Sequence, residues 1–253
     1  MMVSRTIERR YSKKVVGCME AIILAGGFGS RLRHAVDGIP KPMAPINNEG
    51  KPFLSVLLEM LRKNRFSKIV LSVGYLGDVI QSYYGDAFQG IPLLYSVEQQ
   101  PLYTGGAAKK ALKMCTEDNV FLINGDTFFH VDYEDMLCQH KEKKADFSVA
   151  IKKMYHFSRY GTILLQGDRI VSFIEKKYCH EGWINGGLYC LKRDLLENVE
   201  SDKFSLEHDY MERCLSANYI IGYPSAGFFI DIGIPDDYYK AREYFEGGTE
   251  LVF

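Results

Sequence analysis

Short apolar runs alternate with amphipathic, helix-like runs through the first half of the chain, and this alternation limits the possible folds most strongly. The runs "AIILAG" (21–26), "KIVLSVG" (68–74) and "NVFLING" (119–125) are almost continuously apolar. A strand reads this way when both faces of its sheet are covered, and parallel strands require crossover helices. The pattern predicts an α/β fold, a Rossmann-like three-layer sandwich with a mostly parallel mixed sheet.

The remaining elements follow from the same periodicities. Helices are predicted over 51–66, 76–85, 105–115, 205–216 and 235–247, and further core strands over 91–98, 219–225 and 227–233. After Asp126 the rhythm changes to the strand-like segments 145–154, 161–166, 168–177 and 183–193, joined by short turns. These segments predict a small antiparallel extension that carries a second substrate. Residues 19–253 are predicted to form one domain.

The first 18 residues, "MMVSRTIERRYSKKVVGC", form a separate basic segment. Basic residues together with Ser and Thr are also found in transit peptides, but this segment has no extended apolar region. We therefore favour a flexible N-terminal extension before the first core strand.

Charge and cysteine content exclude several classes of partner. The net charge of −1 gives no general attraction to nucleic acid, and no apolar run reaches the roughly 20 residues that span a bilayer. The six cysteines show no spacing typical of a zinc site. We expect reduced thiols in a cytoplasmic protein that binds neither nucleic acid nor a membrane.

A glycine turn follows the first apolar strand, in "EAIILAGGFGSRLR" (20–33). Gly26, Gly27 and Gly29 lack the third glycine of the dinucleotide fingerprint, and no Gly-Lys-Ser/Thr follows at the spacing of a nucleoside triphosphatase loop. A structural strand-to-helix connection explains the turn equally well by itself. Arg31, with its planar fork, and Lys41, stiffened by flanking prolines, favour a triphosphate site.

Motifs along most of the chain resemble those of one family. They are "LAGGFGSRLR" (24–33), "PKPMAP" (40–45), "EQQPLYTGGA" (98–107), "INGDTFFHVD" (123–132), "FIEKK" (173–177), "INGGLYCLKRD" (184–194) and "FFIDIGIPDDY" (228–238). In this order they resemble the sugar-nucleotide pyrophosphorylases, nucleotidyltransferases that join a nucleoside triphosphate to a sugar 1-phosphate. The branch that the sequence resembles most is the D-glycero-D-manno-heptose 1-phosphate guanylyltransferases, which supply surface polysaccharide synthesis.

The resemblance implies an in-line attack of the sugar phosphate on the α-phosphorus, with pyrophosphate leaving. Charge neutralisation and positioning are then the main work of the protein. Asp126 and Asp231, each at the end of an apolar run, match the family's two metal ligands, which implies Mg²⁺ as cofactor. The matching catalytic residues are Arg31, Lys41, Asp126 and Lys176, although an aspartate that ends a strand is often only a cap.

The resemblance also implies two groups of binding residues. The nucleotide group is Leu24, Ala25, Gly26, Gly27, Gly29, Ser30, Arg31, Lys41, Glu98, Tyr103, Thr104 and Gly105. The sugar group is Gly125, Tyr160, Gly161, Glu175, Lys176, Asn185 and Gly186. The alternation in "SFIEKK" predicts Phe173 and Glu175 on one strand face, with Ile174 and Lys176 on the other. For Gly186 the alternative is a simple bend in a strand.

Two positions bear on the nucleotide. Glu98 stands where pyrimidine-using relatives tend to have glutamine, and a carboxylate accepts both pairing-edge donors of guanine, which favours GTP. The alternative is that Glu98 only ends a strand in solvent. Tyr103 replaces the glycine of the family's "PLGTGGA"; it stacks on the base, swings outward or obstructs the site, and we expect activity to survive with altered GTP affinity.

Several alternatives remain open at this stage. A mannose or glucose 1-phosphate nucleotidyltransferase fits the same residues, and a non-catalytic nucleotide sensor fits the fold, although a sensor needs no complete charge set. His130, His140, His156 and His180 show no spacing for a metal or a nucleophilic triad and are expected to be structural or exposed. A homodimer is possible.

Overall fold

The structure, a computed structural model, describes residues 17–27 and 38–246 of the 253-residue chain. Its strands are β1 Met19–Leu24, β2 Phe66–Val73, β3 Ala87–Phe88, β4 Ile91–Val97, β5 Asn119–Asn124, β6 Thr127–Phe129, β7 Phe147–Phe157, β8 Thr162–Gln166, β9 Arg169–Ile174, β10 Cys179–Lys192, β11 Ile220–Ser225 and β12 Phe229–Asp231. Its α-helices are α1 Phe53–Lys63, α2 Gly77–Tyr84, α3 Tyr103–Leu112, α4 Tyr133–Glu142 and α5 Pro235–Glu246. A short 3-10 helix spans Lys41–Met43 and a π-helix spans Leu206–Met211.

Ten strands form one mixed sheet in the order β3-β4-β2-β1-β5-β10-β7-β11-β9-β8. Strands β4, β2, β1 and β5 run parallel, whereas β10 pairs antiparallel with both β5 and β7. Strand β11 is parallel to β7, and β9 and β8 complete the sheet in antiparallel fashion. The predicted antiparallel extension is therefore a continuation of the main sheet. A separate two-stranded sheet pairs β6 with β12.

Alternate residues of the central strands supply two apolar cores, one on each face of the sheet. In β1, Ala21 and Ile23 belong to one core and Ile22 to the other. Helices α1, α2, α4 and α5 contribute to the first core, while α3 and the π-helix contribute to the second. This arrangement confirms the predicted three-layer α/β fold, because a strand covered on both sides must be apolar throughout.

Three local predictions need correction. Helix α4 was not predicted, because its buried residues Tyr133, Met136 and Leu137 stand among many charged ones. The helix predicted over 205–216 is reduced to the π-helix. Strand β9 ends at Ile174, so the strand alternation predicted through Lys176 does not extend beyond it.

Three further predictions can be compared with the structure only in part. The N-terminal extension lies almost wholly outside the described residues, and its structure stays a prediction. Among the residues described, no helix is both long and apolar enough to cross a membrane. Of the four histidines named in the prediction, His140 is buried, and its ring nitrogens form hydrogen bonds with Ser148 Oγ and Asn119 Oδ1.

Candidate active site

A cavity of about 440 Å³ opens at the carboxyl ends of β1 and β5. In α/β sheets this is where ligands bind. The cavity brings together Leu24, Ala25, Gly26, Gly27, Lys41, Glu98, Tyr103 and Thr104 of the predicted nucleotide group, Gly125 of the predicted sugar group, and the predicted metal ligand Asp126. Three further predicted residues, Gly29, Ser30 and Arg31, lie outside the described residues.

Close packing of two strand ends forms the floor of this cavity. Gly125 donates its backbone N–H to the carbonyl of Leu24 at 3.0 Å. A Cβ atom at position 125 would lie 2.5 Å from that carbonyl oxygen, a distance that real Cβ contacts do not reach. Only glycine therefore allows Asp126 to follow β5 so closely beside the end of β1.

Lys41 is held at the cavity by the chain around it. It begins the 3-10 helix after the extended Pro40, and Pro42 follows within the same turn. Its side chain is 13% exposed, and Nζ contacts Oδ2 of Asp126 at 2.5 Å. A half-buried ion pair thus fixes one lysine charge beside the carboxyl end of β5.

The two predicted metal aspartates converge through the β6–β12 pair. Asp126 immediately precedes β6, and Asp231 lies opposite Thr127 at the end of β12. The N–H of Ile232 donates to the backbone carbonyl of Asp126 at 2.9 Å. Burial and the charge of Asp126 raise the pKa of Asp231, although Lys41 opposes this rise. The structure therefore places two carboxylates close enough to repel each other.

Glu98 forms the part of the cavity wall beside the glycine turn. Its carboxylate accepts hydrogen bonds from the N–H of Leu102 at 3.0 Å and from Ser72 Oγ at 3.4 Å. A Cβ on Gly26 would lie 2.7 Å from Glu98 Oε1, so the carboxylate faces the glycine turn directly. Glu98 is half-buried in the cavity wall and does not merely end a strand in solvent.

Tyr103 has a left-handed backbone, with φ of 59°. Glycine adopts this conformation without strain, which explains why the family pattern has glycine at this position. The side chain is 59% exposed at the rim of the cavity, with Lys203 Nζ 5.0 Å from the ring centroid. Of the three predicted orientations, this corresponds most closely to the outward one.

Gly105 stands behind the cavity and does not line it. Its N–H donates to the carbonyl of Phe204 at 2.9 Å, and an added Cβ would lie 2.2 Å from the Phe204 ring. The next residue, Gly106, would place its Cβ 2.1 Å from the carbonyl oxygen of Asp202. The glycine pair thus lets helix α3 pack directly on the 202–204 segment.

The rest of the predicted sugar group lies outside this cavity. Tyr160 and Asp231 line a neighbouring cavity of about 540 Å³. The charges of Asp231 and Asp126 add to burial in raising the pKa of Tyr160 to about 12. Glu175 and Lys176 are exposed beyond the end of β9. A Cβ on Gly161 would meet the carbonyl of Ile174.

Asn185 and Gly186 belong to the irregular part of β10, where its register with β7 shifts. Asn185 Nδ2 donates to the hydroxyl of Tyr189 at 3.0 Å. A Cβ on Gly186 would lie 2.4 Å from the ring of Phe129, so tight packing requires this glycine. Neither residue lines the 440 Å³ cavity.

Three polar residues of the cavity were not predicted: Asn124, Ser205 and Glu207. Asn124 adjoins the predicted Gly125, and its side-chain oxygen is buried without a hydrogen-bond partner among the described residues. Glu207 accepts hydrogen bonds from Ser205 Oγ and from Thr104 Oγ1, and Thr104 stands 103 residues before it in the chain. No local pattern indicates such a distant contact.

Known proteins are similar to this chain over most of its length. The nucleotidyl transferase family profile matches residues 20–247. The D-glycero-alpha-D-manno-heptose 1-phosphate guanylyltransferase of Aneurinibacillus thermoaerophilus is 48% identical over 226 residues, covering 89% of this chain and 97% of that protein. The Campylobacter jejuni protein of the same name is 42% identical over 225 residues, with 87% and 97% covered.

A solved structure is similar over the same region. The crystal structure of HddC from Yersinia pseudotuberculosis complexed with GMP-PN has a TM-score of 0.81 and 35% sequence identity to this chain. The similarity covers 90% of this chain and 100% of that one.

Proposed function

The chain belongs to the nucleotidyl transferase family, and we propose that it transfers GMP from GTP to D-glycero-D-manno-heptose 1-phosphate, releasing pyrophosphate. The observation that carries this proposal is the convergence of Lys41, Asp126 and Asp231 beside a cavity bounded by the glycine turn and Glu98. Relatives at 48% and 42% identity carry the name of this activity, which supports heptose ahead of mannose or glucose.

The reaction joins two polyanions, so the residues of the site must neutralise charge and position the phosphates. Lys41 is suited to the triphosphate because its ammonium is already fixed at the cavity by Asp126. Arg31 and Lys176 are proposed to contact phosphate on the basis of the family motif. The attacking phosphate oxygen is already ionised, and the proposal therefore requires no histidine base.

The donor set around Asp126 and Asp231 fits a divalent cation. Two carboxylates that repel each other gain stability when a cation lies between them, and Mg²⁺ prefers a few carboxylates completed by water and substrate phosphates. We propose that Asp126 and Asp231 hold Mg²⁺. When bound, the ion supplies Lewis-acid stabilisation of the charge that develops on the reacting phosphate.

Glu98 is proposed to select guanine. Leu102 and Ser72 hold its carboxylate in place, and each oxygen retains acceptor capacity toward the cavity. Guanine presents N1–H and N2–H side by side, so one carboxylate accepts both donors. Inosine triphosphate lacks the N2 amino group and tests this contact directly.

The sugar residues of the proposal are Tyr160, Gly161, Glu175, Asn185 and Gly186, again from the family motif. Of these, Tyr160 lines the same neighbouring cavity as Asp231, and burial together with the charges of Asp231 and Asp126 raises its pKa. As part of the same proposal, we place the enzyme in the cytoplasm, where it supplies precursors for surface polysaccharides such as a capsule.

A pyrophosphate-release assay tests the proposal. GTP, ITP, ATP, CTP, UTP and dTTP are each paired with heptose, mannose and glucose 1-phosphates, with Mg²⁺ and with EDTA. We expect the highest turnover for GTP with the heptose, and none in EDTA. Glu98→Gln should reduce the preference for GTP over ITP.

Asp231→Asn should abolish turnover, while Asp132→Asn, a matched change at the exposed N-terminus of α4, should retain it. Equal rates with several triphosphates would refute the role of Glu98. GTP binding without turnover of any sugar 1-phosphate would favour the non-catalytic sensor.

A further inference from the structure

Glu207 is a carboxylate in a cavity that is proposed to bind polyanions. It is half-buried and lines the cavity together with Thr104 and Ser205. Within 17–27 and 38–246, no lysine, arginine or histidine forms an ion pair with it. A carboxylate without a cation repels phosphate, so this part of the wall suits a different portion of the substrates.

Three hydroxyl groups hold the carboxylate in place. Oε2 accepts hydrogen bonds from Thr104 Oγ1 at 2.7 Å and from Ser205 Oγ at 3.2 Å. Oε1 accepts one from the hydroxyl of Tyr189 at 3.1 Å. Since these donors come from α3, from the segment before the π-helix and from β10, the carboxylate is fixed by three separate parts of the fold.

The proton positions in this network are determined by its outer members. Thr104 Oγ1 accepts from the N–H of Leu206 at 2.9 Å, so its own hydrogen points to Glu207. Tyr189 accepts from Asn185 Nδ2 at 3.0 Å and likewise donates to Glu207. The N–H of Gly187 donates to Asn185 Oδ1 at 2.9 Å, which fixes the orientation of that amide.

The Glu207 carboxylate has one acceptor position left for a ligand. An ionised carboxylate has about four acceptor positions, and the three hydroxyl groups occupy three of them. Among the described residues no second donor reaches Oε1, and this remaining position can accept a hydrogen bond from a bound ligand. A phosphate oxygen only accepts at neutral pH, whereas a sugar hydroxyl donates. The position therefore suits a hydroxyl of a sugar.

We propose that Glu207 is a specificity-determining residue that accepts a hydrogen bond from one hydroxyl of the acceptor sugar, and that Asn185 and Tyr189 are positioning residues for its carboxylate. This inference rests on the proposed function. It gives Asn185 an indirect role, because its amide is already committed to Tyr189 and Gly187.

The ribose of GTP also carries hydroxyl donors, but the placement of the network favours the acceptor sugar. Strand β10, which carries Asn185 and Tyr189, pairs with β5, and a Cβ on Gly187 would lie 2.8 Å from Asn124 Nδ2. The network therefore lies beside the end of β5 that leads into Asp126. Glu98, the proposed base contact, stands at the glycine turn. GTP and its 2′-deoxy and 3′-deoxy forms separate the two sources of hydroxyl groups.

The experiment measures kcat and KM for both substrates in the wild type and in Glu207→Gln. The sugar 1-phosphate that the wild type uses best is compared with its monodeoxy analogues. Glu212→Gln, an exposed carboxylate just after the π-helix, is the matched control. Tyr189→Phe is a second variant, which keeps the carboxylate and the ring but removes one positioning hydrogen bond.

We expect Glu207→Gln to lower kcat/KM for the sugar 1-phosphate roughly 10- to 100-fold through KM, the effect of a hydrogen bond to a charged group. One monodeoxy analogue should lower kcat/KM of the wild type by a similar factor. The same analogue should cause little additional loss in Glu207→Gln, which already lacks the contact. Tyr189→Phe should raise the KM for the sugar 1-phosphate by a smaller factor, below roughly 10-fold. KM for GTP and its deoxy forms should stay constant, as should all values for Glu212→Gln.

Three results would overturn the inference. In the first, every analogue lowers kcat/KM by the same factor in the wild type and in Glu207→Gln. In the second, the deoxy forms of GTP, and not those of the sugar 1-phosphate, show the difference between wild type and variant. In the third, Glu207→Gln lowers kcat and thermal stability but does not change the discrimination between sugar analogues. If the wild type prefers a sugar other than heptose, the proposed function is wrong in its sugar, and the analogue series of the preferred sugar still decides the role of Glu207. If no sugar 1-phosphate is turned over, calorimetric binding of heptose 1-phosphate decides it, since weaker binding by Glu207→Gln is the required result.

Discussion

The left-handed backbone at Tyr103 leads to a sharp prediction about stability. A residue with a Cβ at a φ of 59° carries roughly 1–2 kcal/mol of steric cost, which glycine avoids. Tyr103→Ala and Tyr103→Gly both remove the ring and its contact with Lys203, so their difference isolates the backbone. Part of the glycine advantage, about 0.5–1 kcal/mol, is offset by greater freedom of the unfolded chain.

The net expectation is that Tyr103→Gly is more stable than Tyr103→Ala by about 1 kcal/mol, or roughly 2–4 °C in Tm for a chain of this size. Urea unfolding and a thermal scan measure the difference. Lys110, exposed within the regular part of α3, supplies the control pair. There the order reverses, because alanine exceeds glycine by about 1 kcal/mol in a helix.

The result that refutes this reasoning is a Tyr103→Ala variant at least as stable as Tyr103→Gly, with the expected order at Lys110. The same two variants address the nucleotide. If the ring contacts GTP, both should change the GTP Kd equally, since both lack it. Activity is expected in the wild type, and a wild type that is inert until Tyr103→Gly restores turnover would contradict that expectation.

Three further predictions concern the charge, packing and acid stability of the fold. Lys41→Met should lower kcat/KM by about 10²- to 10³-fold, the scale for losing one fixed charge at a reacting centre, while Lys51→Met, in a more exposed ion pair, should not. Gly106→Ala should lower the free energy of unfolding by about 1–3 kcal/mol through overpacking, measured in urea against Gly17→Ala, whose added methyl meets nothing within 4 Å. Burial lowers the pKa of His140 from 6.5 to about 4, so the unfolded chain binds a proton that the folded chain rejects as the pH falls between these values. Stability should therefore decline by up to about 3 kcal/mol from pH 6.5 to pH 4, and less in His140→Gln; identical pH profiles of unfolding would contradict this.

The layered fold was predictable because its cause is local. Ala21, Ile22 and Ile23 are all apolar since the two faces of β1 enter two different cores. Helix α1 was equally clear, with a buried stripe from Phe53 to Leu61 after Pro52. Helix α4 was not, because its short apolar stripe contacts only one core and its other positions are charged.

Much of the candidate site was predictable for a related reason. The glycine turn and Asp126 follow the ends of β1 and β5, and Lys41 lies between two prolines in the 3-10 helix, so a local motif marks each position without knowledge of distant contacts. The position of Lys176 was not predictable, because it depends on where β9 ends. Its role stays a proposal, as do the roles of Arg31 and Asp231.

The order of amino acids is sufficient to predict the alternation of strands and helices, the motifs and the residue types available for the chemistry, because these depend on neighbours within a few positions. Which of those residues meet depends on how the elements pack in three dimensions. The β6–β12 register brings Asp231 to Asp126, and the packing of α3 on the 202–204 segment brings Glu207 to Thr104. Such contacts arise when whole elements pack against one another, and the local sequence around the contacting residues contains no repeating pattern that would indicate the contact.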